Sequence, residues 1–272
     1  MDRHALFVDA GYALASGGLL CLNTGKRDRV GCDIETLLSA LVARTSATAS
    51  LPILRTYWYD ASWGAVPTFE QALVAELPSV KLRLGRLART NNLTVQKGVD
   101  SLLVTDLMTL SQERAISSAF LMTGDEDIRA GVVACQALGV RLTLIGVEGR
   151  TPNEFTQADT LLSEADGNLM LDAGVLAAHF SRRLPLPREI DGAAIFSGLG
   201  AAASPVNCGH AFGASWSANL TPFELRRLKA RRPRIPKPVD VMIIQAFGGL
   251  LPPRSSADLR QGFWDGVDQV HP

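Results

Sequence analysis

The sequence predicts an α/β protein with a central parallel sheet, followed by a small helical module. In the first half of the chain, short apolar runs alternate with segments of helical periodicity, a pattern typical of successive β-α-β units. Beyond about residue 184 the composition changes to proline, glycine and alanine, which predicts a break in regular structure. With 272 residues, the chain is long enough for one large domain and a smaller unit. We expect an α/β domain at 1–180, a linker at 181–220 and a basic helical module at 221–272.

The predicted strands are short apolar or aromatic runs that stop at polar residues or glycine. The first of them ends directly before Asp9, and the fourth ends before a Thr-Gly-Asp segment. The five predicted strands are 4–8, 53–59, 80–84, 118–122 and 140–145.

Segments of helical period lie between these runs. In one of them, Leu103, Leu107 and Leu110 fall on a single helical face. Gly139 is placed where it can end the last helix of the domain. The predicted helices of the domain are 33–44, 68–76, 99–110 and 127–138, and those of the C-terminal module are 223–232, 239–247 and 257–267.

The composition excludes several classes of protein. Lys plus Arg equals Asp plus Glu at 27 each, so any nucleic-acid-binding surface must be local. The four cysteines form no C-x-x-C pair and have no histidine at zinc spacing, as expected for thiols in a reducing compartment. No apolar run of about 18 residues is present, and Asp9 interrupts the apolar stretch where a secretory signal would lie. We therefore expect a cytoplasmic protein without a membrane segment.

Aspartates follow two of the predicted strands. Asp9 comes directly after the first strand, and Asp125 and Asp127 come shortly after the fourth. Because the carboxyl ends of parallel strands meet at one edge of a sheet, these carboxylates converge if the two strands are neighbours. Clustered carboxylates repel one another unless a cation compensates them, and oxygen ligands suit Mg²⁺ or Mn²⁺. The alternative for each aspartate alone is a strand end or a helix cap.

Three acidic motifs resemble those of the NYN family of PIN-like nucleases. They are residues 7–11 (FVDAG), 96–100 (QKGVD) with Asp106 downstream, and 123–127 (TGDED). The similarity continues through 139–141 and 162–166, so that it covers roughly 3–172. The order and the spacing of the motifs both agree with the family pattern.

The resemblance implies a PIN-like Rossmannoid α/β/α sandwich and metal-dependent endoribonuclease cleavage of single-stranded or structured RNA. It also implies that Asp9, Asp100, Asp125 and Asp127 are the acidic tetrad that binds Mg²⁺ or Mn²⁺. Asp106 matches a further family acid, but on a helix it is rotated by about 240° from Asp100. We therefore rank it second as a metal ligand, as a helix-packing or outer residue.

One departure from the family pattern leaves alternative functions open. Many relatives have asparagine three residues after the first aspartate, where this chain has Tyr12. A non-catalytic RNA-binding or regulatory protein with the same fold is therefore the first alternative. A haloacid-dehalogenase-like phosphatase is less favoured, because its second aspartate would stand at the position of Gly11.

Basic residues near the second motif and in the tail are candidates for binding the RNA backbone. Lys97 either meets the scissile phosphate or neutralises the acids, and a solvated loop is the alternative for the arginines at positions 83, 86 and 89. The tail has the strongest basic bias in the chain, and its spacing favours core positions for Phe223 and Trp264. As an alternative, the tail is a partner-docking or dimerisation unit, which would make the protein a homodimer. The RNA-binding candidates in the tail are Arg226, Arg227, Lys229, Arg231 and Arg232.

Overall fold

A computed structural model describes residues 2–90, 93–151, 156–184, 186–187 and 189–272. The chain divides into two compact units, Met1–Arg182 and Arg183–Pro272. The boundary lies close to the change in composition at about residue 184. None of the helices in these described ranges is long and apolar enough to cross a membrane.

The first unit is built on a seven-stranded sheet with the order β5-β4-β3-β1-β6-β7-β8. Neighbouring strands are parallel except for β4 and β5, which are antiparallel. A second, two-stranded antiparallel sheet pairs β2 with β9. The strands are β1 His4–Asp9, β2 Val30–Cys32, β3 Ile53–Ser62, β4 Val80–Thr90, β5 Leu93–Lys97, β6 Ser118–Met122, β7 Arg141–Val147, β8 Gly167–Leu171 and β9 Phe180–Arg182.

Helices cover both faces of the large sheet. On one face, apolar residues of α4, α5 and α6 form a single core with those of β1, β3, β6 and β7. The alternate residues of β1, Leu6 and Val8, are also fully buried, and α1 and α2 contact β1 and β3. The α-helices of this unit are α1 Ala10–Leu22, α2 Ile34–Ala49, α3 Phe69–Val74, α4 Val99–Gln112, α5 Arg129–Ala137, α6 Asp159–Glu164 and α7 Ala173–Leu176.

The structure confirms the predicted α/β fold and the neighbourhood of the first and fourth predicted strands. β1 pairs with β6, so that Val8 lies opposite Met122. The chain runs outward from β1 to β3 and β4, and then returns to the other side of β1 with β6. This reversal of strand order leaves a crevice at the carboxyl ends of β1 and β6.

The central sheet is parallel as predicted, and at one edge it gains an unpredicted strand, β5, which is antiparallel to β4. This strand has the polar sequence LTVQK, which lacks the apolar run by which buried strands are detected. β4 pairs with β3 only as far as Arg86, opposite Ser62. Residues 87–90 of β4 pair with β5 alone. We call this two-stranded extension, 86–90 with 93–97, the hairpin arm.

The second unit consists of helices and includes two in the segment that the sequence predicts to be a linker. They are α8 Gly192–Leu199 and α9 Pro205–Ser217, and they are followed by α10 Pro222–Lys229, α11 Lys237–Ala246 and α12 Ser256–Val270.

Glycines explain why this segment is structured despite its linker-like composition. A Cβ atom built on Gly209 or Gly213 would lie within 2.2 Å of a carbonyl oxygen of α12. Cβ atoms on Gly262 and Gly266 would lie within 2.0 Å of carbonyl oxygens of α9. Glycine thus permits the two helix backbones to touch. Aromatic residues of this unit fill its core. Phe223 and Trp264 are buried, which confirms the interpretation from helical spacing, and Trp216 is buried as well.

Candidate active site

Three aspartates from separate elements line one cavity of about 440 Å³ at the carboxyl edge of the large sheet. Asp9 is the last residue of β1, Asp100 lies in the first turn of α4, and Asp125 follows β6. The adjacency of β1 and β6 brings Asp9 and Asp125 together, as strand-end geometry predicts. Asp100, which only the family resemblance indicated, lies at the same cavity.

Asp9 is held in place by the start of α1. Its Oδ1 accepts hydrogen bonds from the backbone amides of Gly11 at 2.8 Å and Tyr12 at 3.4 Å. Asp9 therefore caps α1, as the alternative interpretation predicts. The cap uses Oδ1, and no hydrogen bond to Oδ2 is found among the described residues. Burial raises the pKa of Asp9 to about 6, and the charges of Asp100 and Asp60 add to the effect of burial, whereas the two amides oppose it.

Asp100 owes its position to the tight turn between β5 and α4. Gly98 precedes the helix with φ of 81°, a left-handed conformation that side chains other than glycine rarely adopt. Burial raises the pKa of Asp100, and the negative charges of Asp125 and Asp127 raise it further. Asp127 thus acts on the cluster electrostatically, although it does not line the cavity. It is exposed, and its amide donates to Oδ1 of Asp125 at 3.0 Å.

The carboxylates around the cavity lack cationic partners. Within the described ranges, no ion pair involves Asp9, Asp100, Asp125 or Asp127. No group of three His, Cys, Asp or Glu side chains in those same ranges is arranged to hold a metal ion. Mg²⁺ commonly takes only one or two carboxylates, and water and substrate phosphate complete its shell. The unpaired carboxylate oxygens at the cavity are therefore ligands of the type that Mg²⁺ binds.

Asp106 is separated from this cluster by its own partners. Its Oδ2 accepts from Arg83 Nε at 2.8 Å and from the Tyr59 hydroxyl at 3.0 Å, and its Oδ1 accepts from Arg83 Nη2 at 3.1 Å. The structure thus places Asp106 in an ion pair that ties α4 to the sheet. Arg83, which the sequence offered as an RNA contact, is the other member of that pair.

Tyr12 lines the cavity, but its hydroxyl is committed elsewhere. The hydroxyl accepts from the backbone amide of Val147 at 3.1 Å and lies 3.0 Å from the Thr156 hydroxyl. Thr156 in turn donates to the carbonyl oxygen of Val147. The ring packs so closely on Gly124 that a Cβ there would lie 2.9 Å from it. Tyr12 is therefore a structural brace between α1 and the end of β7.

The hairpin arm separates Lys97 from the cavity. Lys97 pairs with Arg86, whereas its neighbour Gln96 pairs with Leu87. Because successive side chains of a strand point to opposite faces, Lys97 and Gln96 point apart, and Gln96 is the one that lines the cavity. Gln96 and Thr156 also line the cavity, and neither was predicted from the sequence. A prediction of β5 as a strand would have shown this alternation.

Two basic residues of the tail, Lys229 and Arg232, make contacts within the second unit. Lys229 donates to the carbonyl oxygen of His271, and Arg232 pairs with Asp268 and lies over the Trp264 ring at 4.8 Å. Three further tail arginines also have interaction partners: Arg226, Arg227 and Arg231.

The α/β sheet, with aspartates gathered where its strand order reverses, is a Rossmann-type arrangement. The NYN domain model matches residues 3–166, and the chain belongs to the NYN domain family. This result confirms the resemblance carried by the three acidic motifs.

Two similar proteins have no described function. The uncharacterized protein y4oD of Sinorhizobium fredii is 46% identical over 97 residues, which are 36% of this chain and 42% of that protein. The chain thus spans less than half of the length of that relative. A crystal structure of a protein of unknown function from Vibrio parahaemolyticus is similar with a TM-score of 0.43 and 12% identity, over 63% of this chain and 94% of the other.

Proposed function

We propose that this protein is a metal-dependent endoribonuclease whose active site is the cavity lined by Asp9, Asp100 and Asp125. The observation that carries the proposal is the convergence of three carboxylates, from three separate elements, on one cavity with no cationic partner among the described residues. Asp9 and Asp100 are partly buried, and uncompensated charges that are partly buried cost folding free energy. Burial raises the pKa of both carboxyl groups, and residues with perturbed pKa values cluster at functional sites.

A hard divalent cation, Mg²⁺ or Mn²⁺, is the cofactor that these oxygen donors suit. When bound, it would supply a polarised phosphoryl oxygen, an activated water and stabilisation of the leaving oxygen. The chain contributes preorganised ligands. Oδ1 of Asp9 is fixed by Gly11 and Tyr12, and Oδ1 of Asp125 is fixed by the amide of Asp127. The carboxylates of Asp9 and Asp125 are thus oriented before any ligand arrives, which lowers the free-energy cost of assembling the site.

RNA is the substrate that the NYN family suggests. The surroundings of the cavity support a polyanionic substrate, because Arg89, which lies on the same face of the hairpin arm as the cavity residue Gln96, has no ion-pair partner in the part of the chain that the structure describes. Unpaired cations beside the site can neutralise backbone phosphates.

The test uses the purified chain with single-stranded and structured RNAs. Wild type is expected to cleave RNA with Mg²⁺ or Mn²⁺, and EDTA is expected to stop the reaction. The double variant Asp100→Asn with Asp125→Asn should lose cleavage while its far-ultraviolet circular dichroism stays unchanged. Asp106→Asn is the matched control and should retain cleavage. Undiminished cleavage by the double variant would refute the proposed site.

A non-catalytic RNA-binding protein is the second candidate. The observation that favours it is the commitment of the Tyr12 hydroxyl to Val147 and Thr156, so that Tyr12 does not orient a water near Asp9 in the way an asparagine would. Wild type that binds RNA but cleaves none of a broad panel with either metal would establish this candidate. The phosphatase alternative loses its support, because the chain belongs to the NYN family.

The tail is proposed to add RNA affinity, and a cytoplasmic location and a homodimer stay predictions. Deletion of the chain after Leu184 should weaken RNA binding and reduce its salt dependence, with the metal requirement retained. Unchanged binding would show that the tail does not contribute to RNA affinity, and partner docking would then be its proposed function.

A further inference from the structure

Apart from the aspartates, three polar side chains line the cavity: Tyr12, Gln96 and Thr156. The hydroxyls of Tyr12 and Thr156 are hydrogen-bonded to each other, and both bond to the backbone of Val147. Their donor capacity is therefore used within the fold. The Gln96 amide is different, since no hydrogen bond involving it is found in the described ranges. Gln96 is thus the cavity side chain with uncommitted donors.

The Gln96 amide lies close to the carboxylate of Asp9. A Cβ built on Gly11 would lie 3.3 Å from Nε2 of Gln96 and 3.1 Å from Oδ1 of Asp9. Both groups therefore border the same small space above the start of α1, which the absence of a side chain at Gly11 keeps open. The backbone of Gln96 is anchored by its pairing with Leu87 in the hairpin arm, and Leu87 packs against the core of the sheet.

A phosphate that enters this cavity meets a lining that mostly accepts hydrogen bonds. Ionised carboxylates are acceptors only, whereas a glutamine amide supplies two N–H donors. A phosphate oxygen needs donors or cations as partners. We propose that Gln96 contacts the scissile phosphate of RNA, with Nε2 donating to a non-bridging oxygen. This inference rests on the proposed function and adds a substrate-binding residue to it.

The same face of the hairpin arm continues outward from Gln96. Arg89 pairs with Thr94, two residues farther along each strand than Leu87 and Gln96. By strand alternation, Arg89 and Gln96 therefore share a face, whereas Arg86 and Lys97 lie on the opposite one. The RNA strand accordingly leaves the cavity along the Gln96–Arg89 face of the arm, and Arg89 neutralises an adjoining phosphate.

The experiment compares Gln96→Ala and Gln96→Glu with Gln112→Glu in the full chain. Gln112 is exposed at the far end of α4, about 18 Å along the helix from Asp100, and provides the matched charge control. RNA affinity is measured by fluorescence anisotropy with a short labelled single-stranded RNA and Mn²⁺, with Asp125→Asn present to prevent turnover. Mn²⁺ affinity is measured without RNA by electron paramagnetic resonance, and cleavage is measured as kcat/KM with Asp125 intact.

Gln96→Ala is expected to lower RNA affinity and kcat/KM by about tenfold or more, the effect of losing a hydrogen bond to a charged group. Its Mn²⁺ affinity should equal that of wild type. Gln96→Glu should weaken RNA binding further and strengthen Mn²⁺ binding, because it exchanges a donor for another carboxylate. Gln112→Glu should match wild type in all three measurements.

Two results would overturn the inference. In the first, Gln96→Ala binds RNA as tightly as the control. In the second, its Mn²⁺ affinity falls in parallel with its RNA affinity, which would mean that Gln96 organises the acids instead of touching RNA. Failure of the proposed function is distinguishable from both, because a wild type that cleaves no RNA can still show the Gln96-dependent change in anisotropy.

Discussion

The two units of this protein differ in net charge and in how the charged side chains discussed above are paired. The first carries 16 Lys and Arg against 20 Asp and Glu, and the second carries 11 against seven. In the first unit, the acids at the cavity have no cationic partner among the described residues. In the second, cations pair within the unit, as Arg183 does with Glu224 and Arg260 with Asp240. Charged side chains that lack an ion-pair partner therefore indicate a functional site better than the net charge of a region does.

The largest expected effect concerns the packing of the second unit. Gly262→Ala should destabilise this unit by about 3 kcal/mol or more, because the new Cβ would lie 1.9 Å from the backbone oxygen of Val206. Urea unfolding followed by circular dichroism measures the loss. Gly198→Ala is the control, since nothing lies within 4 Å of a Cβ at that position. It should stabilise α8 by up to about 1 kcal/mol. Equal stability of the two variants would contradict backbone contact between α9 and α12.

The next effect concerns the folding cost of an unpaired acid. The pKa of Asp9 is raised from 3.8 to about 6 in the folded protein, so the native state binds the proton more tightly than the unfolded chain does. The ionised form therefore costs stability, fully above pH about 6 and not at all below about 4. In EDTA, Asp9→Asn should raise the free energy of unfolding by up to about 3 kcal/mol at high pH.

This gain should disappear as the pH falls through the interval between those two pKa values. Urea titrations of both proteins across the interval provide the measurement. A gain that is the same at low and high pH would show that Asp9 is not the group responsible.

A smaller effect is expected for the paired acid of the same unit. Asp106→Asn should lower stability by about 1 kcal/mol, because the Arg83 side chain is 39% exposed and solvent screens the pair. Mn²⁺ affinity and cleavage should not change. Asp100→Asn should do the reverse, with weaker Mn²⁺ binding and no loss of stability without metal. Comparable loss of Mn²⁺ binding in both variants would place Asp106 back among the ligands.

The smallest effect separates free from paired cations. Arg89→Gln should reduce the salt dependence of RNA binding by about one unit of the log–log slope, as for one lost phosphate contact. Arg232→Gln should leave the slope unchanged, since Arg232 is engaged by Asp268 and Trp264. Anisotropy titrations over a range of salt concentrations measure both. A slope that falls equally in Arg232→Gln would show that Arg232 contacts the RNA backbone despite its pairing with Asp268.

Much of the fold followed from local pattern. The apolar runs predicted β1, β6 and β7, because strands buried on both faces must be apolar throughout, and the runs of apolar or aromatic residues in β3 and β4 predicted those two strands. β5 was not predicted because it has no continuous apolar run and lies at the edge of the sheet. Without this strand, the orientation of the Gln96 side chain could not be predicted either. The predicted linker contains two helices in the structure. Glycine occurs both where regular structure ends and where two helices are in close contact, so the composition alone does not distinguish the two cases. Gly209 and Gly262 belong to the second kind.

The sequence by itself determined the acids that follow β1 and β6 and the family motif that contains Asp100. Only the tertiary structure decided which acids remain unpaired. Asp106 on α4 is neutralised by Arg83 on β4, and Tyr12 is engaged by Thr156, 144 residues away. Strand ends and helical faces can be recognised from residues that are close together in the sequence. Ion pairs and hydrogen bonds depend on which distant segments the sheet order brings together, and no local pattern records that order.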